Sequence, residues 1–137
     1  MKKILLLTSL LLCLFLVSCG KSEEKKEDAP KGGKNTLVVY SNSLTDGRGE
    51  WLKEKAKAAG FELEFVDAGG GEITNRLIAE KNNPIADIVF GPNQMDFSNM
   101  KKEGVLEQYV PKWAADVTDG LNDKDGYFHA IVKQAIL

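Results

Sequence analysis

From Thr36 onward, short apolar runs alternate with helix-forming stretches, and this alternation limits the chain to few folds. LVVY at 37–40 is rich in strand formers and reads as a strand buried on both faces. EWLKEKAKAA at 50–59 is a helix with Trp51, Leu52, Lys55, Ala56 and Ala59 at helical spacing, stopped by Gly60. FELEFV at 61–66 alternates, with Phe61, Leu63 and Phe65 on one side, as a half-exposed strand does. A second helix is expected from about Glu72 to Lys81, with Ile73, Leu77 and Ile78 as its stripe and NNP at 82–84 as its breaker. ADIVF at 86–90 is a further strand, and 93–103 reads as a helix stopped by Gly104. VLEQYV is short and extended, PKWAADVTDGLNDKDG is turn-rich, and YFHAIVKQAIL at 127–137 is strand-like. The predicted order is β-α-β-α-β-α-β: an α/β lobe with a mainly parallel sheet flanked by helices.

The segment before Thr36 is not part of that lobe. Lys2 and Lys3 precede an almost unbroken apolar run, Ile4 to Val17, that is short for a membrane span. Small residues, Ser18 and Gly20, follow it, so 1–18 reads as a secretory signal peptide. A buried core helix is the alternative, and the charged run behind it would be an odd continuation of one. Leu16-Val17-Ser18-Cys19 resembles the bacterial lipobox, which implies cleavage before Cys19 and lipid on its thiol; ordinary secretion with cleavage nearby is the alternative. Each buried acyl methylene adds about 0.8 kcal/mol, so two or three chains anchor firmly. Residues 19–35 then form a lipidated cysteine and a charged tether whose largest aliphatic residue is alanine, too little to offset ordering. Cys13 leaves with the signal, and lipid blocks Cys19. The mature fold therefore holds neither disulfide nor thiol chemistry. The net charge of −2 gives no reason to expect nucleic acid as a partner.

In open α/β sheets ligands bind outside the carboxyl ends of the strands. Three loops lie there: Ser41-Asn42-Ser43, Asp67 to Gly71, and Gly91-Pro92-Asn93. Each precedes a helix whose first N–H groups lack intrahelical partners, so together they make an anion-friendly rim. GGGEITN departs from the nucleotide loops. It has no lysine and no properly placed hydroxyl, Thr74 stands where a dinucleotide fingerprint needs its third glycine, and Glu72 adds negative charge. An enzyme is not expected either. His129 is the only histidine and sits in an apolar run, and Asp46, Asp67 and Asp87 form no acid–base motif. Asp87 reads as a local cap or pair, and Trp51 and Trp113 as packing residues.

TLVVYSNS, EITNRLIAEKNNPIADIVFG and FHAIVKQAIL resemble the N-terminal lobe of extracellular solute-binding proteins of ABC importers. LIAEKNNPIADIVFG, residues 77–91, is the most specific part, and the likeness covers roughly 36–137. The subgroup resembled includes ferric-iron, thiamine, polyamine-like and 2-aminoethylphosphonate binders. The resemblance implies a two-lobed, type II periplasmic-binding-protein fold that closes on its ligand by a hinge. Here 36–137 would be an incomplete first lobe, since the apolar run reaches Leu137 without a polar exit. The implied partners are a small anionic or zwitterionic organic solute, the transmembrane subunits of an ABC permease and, through Cys19, the outer face of the cell membrane. No cofactor is implied. The ferric-iron branch carries a histidine after its first strand and a glutamate after its third. Leu44 and Pro92 stand at those positions here, and neither ligates a metal. The residues implied to hold solute are Ser41, Asn42 and Ser43 as donors, Gly70 and Gly71 for close backbone approach, and Gly91 and Asn93 as the near wall. Lys133 or Gln134 would reach in from the hinge. Any of these is also a plausible turn former. A surface lipoprotein that keeps the lobe as an adhesion or sensor module is the alternative function.

Overall fold

A computed structural model describes residues 35–133. The signal segment, Cys19, the tether up to residue 34 and Gln134 lie outside the described residues. β1 runs Thr36–Ser41, α1 Arg48–Ala58, β2 Glu62–Asp67, α2 Gly70–Ala79, β3 Ile88–Phe90 and α3 Gln94–Glu103, followed by a 3-10 helix at Lys112–Asp116. The three strands form one parallel sheet in the order β2-β1-β3. Among the described residues no helix is long and apolar enough to cross a membrane.

β1 is central, and Val38 through Ser41 are buried, as a strand covered on both faces must be. Alternate residues serve opposite layers. Val38 and Tyr40 face the main core with Ile73 and Leu77 of α2 and Met100 of α3. Val39 pairs with Phe65, and Phe65 lies against Gly49 on the α1 side. That second layer is thin: Trp51 is 56% exposed, and Gly49 is the only fully buried residue of α1. The expected apolar stripe of α1 therefore packs only through its half-buried members Leu52 and Ala56. Phe61 likewise falls just before β2 and is exposed.

Two polar clamps tie α2 and β3 to β1. The Tyr40 hydroxyl donates to the Glu80 carboxylate at 2.9 Å. Arg76 Nε donates to the same carboxylate at 2.9 Å, and its guanidinium lies 4.8 Å from the centre of the Tyr40 ring. Burial, and then the bond to Glu80, push the Tyr40 phenol up to about 12. Just before β3, Asp87 exchanges bonds with Val38: its carboxylate accepts the Val38 N–H at 2.8 Å, and its own N–H donates to the Val38 carbonyl. The partner is 49 residues away on the neighbouring strand, so Asp87 pairs across the sheet and not locally as expected.

The fourth strand expected in YFHAIVKQAIL is absent among the described residues, since 127–133 are irregular. Other partners take their place. Phe128 stacks on Phe97 at 5.5 Å, the Ala130 N–H donates to the Asn122 side chain, and Tyr127 N–H donates to Asp123. Asp123 also holds Lys101 at 2.6 Å, which docks this segment on α3. Burial pushes the Asp123 carboxyl up, but the Lys101 bond and the Tyr127 N–H outweigh it and leave the carboxyl below its usual range.

Candidate functional site at the carboxyl edge of the sheet

The chain passes from β1 to β2 on one side and then crosses to β3 on the other side of β1. The helices after β1 and β3 therefore lie on opposite faces, and the edge between the two strand ends is where open α/β sheets take up ligands. Asn42-Ser43 and Gly91 meet there. A β-carbon on Gly91 would lie 2.5 Å from Ser43 Cβ and 2.7 Å from Asn42 Oδ1, and the Gly91 φ is +102°. Only glycine meets both demands.

The loop after β2 joins the same edge. A β-carbon on Gly70 would overlap the Asp96 carboxylate and would lie 3.6 Å from Asn42 Nδ2. Asn42 therefore sits between the other two loops, its amide nitrogen toward Gly70 and its oxygen toward Gly91. α2 starts at Gly70 behind Gly69, with no side-chain cap on its first N–H groups. Gly71 faces open space. Among the described residues no side chain caps the α2 amides, and Gly71 beside them adds no bulk.

The remaining predicted residues divide by exposure. Ser41 is fully buried, and its hydroxyl oxygen accepts the Ser43 N–H at 3.1 Å, so it shapes the loop from below. Asn93 is exposed, but its Oδ1 accepts the N–H groups of Met95 and Asp96 at 2.8 and 3.0 Å, which caps α3. Lys133 is exposed and lies in the irregular final segment. His129 has its Nε2 at 2.8 Å from the Tyr109 carbonyl, so Nε2 carries the proton, and its ring meets Trp113 edge-on. These contacts suit a structural histidine. Among the described residues no three His, Cys, Asp or Glu side chains gather closely enough to hold a metal ion.

Two charged residues of this edge escaped the sequence reading. Arg48, the first residue of α1, donates through Nη1 to the Ser43 carbonyl at 2.9 Å and to its hydroxyl at 2.5 Å. Asp96, in the first turn of α3, brings its carboxylate to Gly70. A signal existed for both: each sits in the first turn of a helix that follows a rim loop.

No family profile matches the chain. A Sinorhizobium fredii (strain NBRC 101917 / NGR234) protein, provisionally named an ABC transporter periplasmic-binding protein, y4fP, is 46% identical over 95 residues, which is 69% of this chain and 26% of that protein. The chain is homologous to part of an ABC-transporter periplasmic-binding protein. A Salmonella typhi protein provisionally named a 2-aminoethylphosphonate-binding periplasmic protein is 26% identical over 110 residues, covering 77% of this chain and 31% of that one. This chain thus spans between 26% and 31% of the length of these relatives.

Solved structures agree on the fold. A ferric binding protein from Campylobacter jejuni superposes with a TM-score of 0.60 at 25% identity, over 66% of this chain and 29% of that one. The Trichodesmium protein IdiA (FutA), solved with iron and citrate, gives 0.61 at 15% identity, over 67% and 29%. The parallel sheet flanked by helices is that of a periplasmic-binding-protein lobe, as the sequence implied.

Proposed function

We propose that this chain supplies one wall of the solute cleft in an extracytoplasmic binding protein of an ABC import system. In this reading it is exported by the segment 1–18, anchored through lipid on Cys19 and spaced from the membrane by the tether to residue 35. It is a receptor that hands a small anionic or zwitterionic organic solute to the permease, and it performs no reaction. The observation that carries the reading is the convergence of Asn42, Gly70 and Gly91 on one edge beside the uncapped start of α2. Homology to periplasmic-binding proteins supports it. Backbone N–H donors at a helix start suit a phosphonate, phosphate or carboxylate, and one of the relatives is named for a phosphonate.

Gly71→Asp tests this reading. The position has open space around it, so the fold accommodates the side chain, and a carboxylate in the first turn favours the helix itself. The same charge blocks an incoming anion. Calorimetric titration of the natural full-length protein against phosphonates, phosphates, amino acids and polyamines is expected to find one binding class. Gly71→Asp is expected to weaken that class at least tenfold with a melting temperature no lower than that of the unaltered protein. An unchanged dissociation constant would remove the α2 start from the site.

A further inference from the structure

Three aspartates of this chain are followed by glycine: Asp46-Gly47, Asp119-Gly120 and Asp125-Gly126. Such pairs are open to one intramolecular reaction, because glycine leaves its amide nitrogen unshielded. That nitrogen attacks the aspartate Cγ. The N–Cγ bond forms, the Cγ–OH bond of the protonated carboxyl breaks, and the hydroxyl leaves with the amide proton as water. Water then reopens the five-membered ring. Attack at the main-chain carbonyl carbon gives isoaspartate, with the chain routed through Cβ and Cγ; attack at Cγ restores aspartate. Sequence barely separates the first two pairs, since both read Thr-Asp-Gly. The fold separates them.

Ring closure brings Cβ into the plane of the following peptide. For an L-aspartate this holds ψ at about −120°, the value at the first central position of a type II′ turn. That position also requires a positive φ. Asp46 has φ +58°, alone among the described non-glycine residues. Gly47 has φ 75° and ψ 4°, and the Arg48 N–H donates to the Thr45 carbonyl at 3.1 Å, so residues 45–48 form a type I′ turn. Rotating a single peptide plane, between 46 and 47, turns I′ into II′. Neither group of that plane, the Asp46 carbonyl or the Gly47 N–H, makes a hydrogen bond among the described residues. The Asp46 carboxylate has no ion pair among them and accepts only the Thr45 hydroxyl, at 3.4 Å. Space around Gly47 is open.

The other two pairs lack this arrangement. In the turn closed by the Leu121 N–H on the Thr118 carbonyl, φ is positive at Gly120 but not at Asp119, the signs of a type II turn. Its aspartate must change the sign of φ before it can reach II′. The Asp125 carboxylate is held by Lys101 at 2.6 Å, and the Gly126 N–H donates to the Asp123 carbonyl at 3.1 Å. Gly126 is also buried, with Val110 Cγ2 2.8 Å from where its β-carbon would lie. We propose that Asp46-Gly47 is a self-modification site, which isomerises ahead of the other two pairs because its turn is preset for ring closure. The product adds one main-chain methylene beneath the bonds that start α1, Arg48 N–H to Thr45 carbonyl and Gly49 N–H to Leu44 carbonyl at 3.1 and 3.2 Å. Isomerisation therefore loosens the entry to α1.

The test is incubation of the natural full-length protein in mildly acid buffer at physiological temperature. Peptide mapping with electron-transfer fragmentation then counts isoaspartate at each pair. Asp46 is expected to convert at least fivefold faster than Asp119, and Asp119 faster than Asp125. In concentrated urea, where only the shared Thr-Asp-Gly sequence remains, Asp46 and Asp119 are expected to convert within twofold of each other. Conversion at Asp119 that equals or outruns Asp46 in the folded protein overturns the inference, as does the absence of isoaspartate at Asp46. A fivefold lead at Asp46 that persists in urea overturns it too, since the cause would then be sequence and not the turn. The separated form isomerised at Asp46 is expected to melt below the unaltered protein, and an equal melting temperature overturns the loosening of α1.

Discussion

At the scale of single residues, Gly91 and Tyr40 are constrained for different reasons. Gly91 holds a φ of +102° against the Asn42 and Ser43 side chains. Gly91→Ala is expected to cost about 1–3 kcal/mol in backbone strain alone, and to push Asn42 away from the edge. Urea denaturation checks the first effect and solute titration the second; loss of affinity with full stability would show that the glycine serves the ligand and not the turn. Tyr40 lies in the core, where its phenol keeps its proton up to about 12 instead of the ordinary 10.0. Between those values the unfolded chain loses that proton and the folded chain keeps it. The contribution is therefore complete below pH 10, fades as pH rises toward 12, and is worth about 2–3 kcal/mol. Tyr40→Phe should flatten this alkaline fall, measured as unfolding free energy at pH 9 and pH 11, and an equal fall in both proteins would locate its cause elsewhere. The rim residues Asn42, Ser43, Gly70 and Gly91 were legible from the sequence because strand ends in a parallel sheet share one edge. Arg48 and Asp96 were not, because their part depends on which side chain reaches which loop.

The elements were legible where burial and period agree. β1, α2 and α3 fall within two residues of the expected limits, since LVVY is apolar on both faces and Ile73 and Leu77 do turn inward. The run at 127–133 misled for a physical reason. β-branched and aromatic residues fit a half-buried surface generally, and here they pack on Phe97 and bond to Asn122 rather than to a neighbouring strand. Asn93 shows how an element can claim a residue read as a ligand contact. Its Oδ1 already accepts two α3 amides. Asn93→Ala is expected to cost about 1 kcal/mol, whereas Asn93→Ser keeps a capping oxygen and most of that stability. If Asn93 is a cap alone, Asn93→Ser leaves solute affinity within threefold of the unaltered protein. A tenfold loss in a stable Asn93→Ser protein would restore it to the ligand wall.

The whole molecule is where the rim is least self-sufficient. Pockets that hold small molecules bury most of the ligand surface, and in the proposed cleft the three loops would supply one wall. Tyr109 is also 71% exposed and Val110 63%, with Trp113 at 45% nearby in sequence, and Val132 in the final segment is 69% exposed. Apolar exposure of this kind marks a surface that gains from cover. The relatives are more than three times as long as the part matched here, which leaves room for a facing wall. In a cleft that closes on its solute, the second wall adds contacts and removes water, so affinity measured on one wall falls steeply. Residues 36–137 prepared alone are therefore expected to bind solute at least a hundredfold more weakly than the natural full-length protein. Cooperative thermal unfolding of the isolated segment establishes first that it is folded, and calorimetry then supplies the comparison. Equal affinities would mean that the three rim loops hold their ligand unaided, and the two-lobed reading would have to give way to a single-lobe receptor.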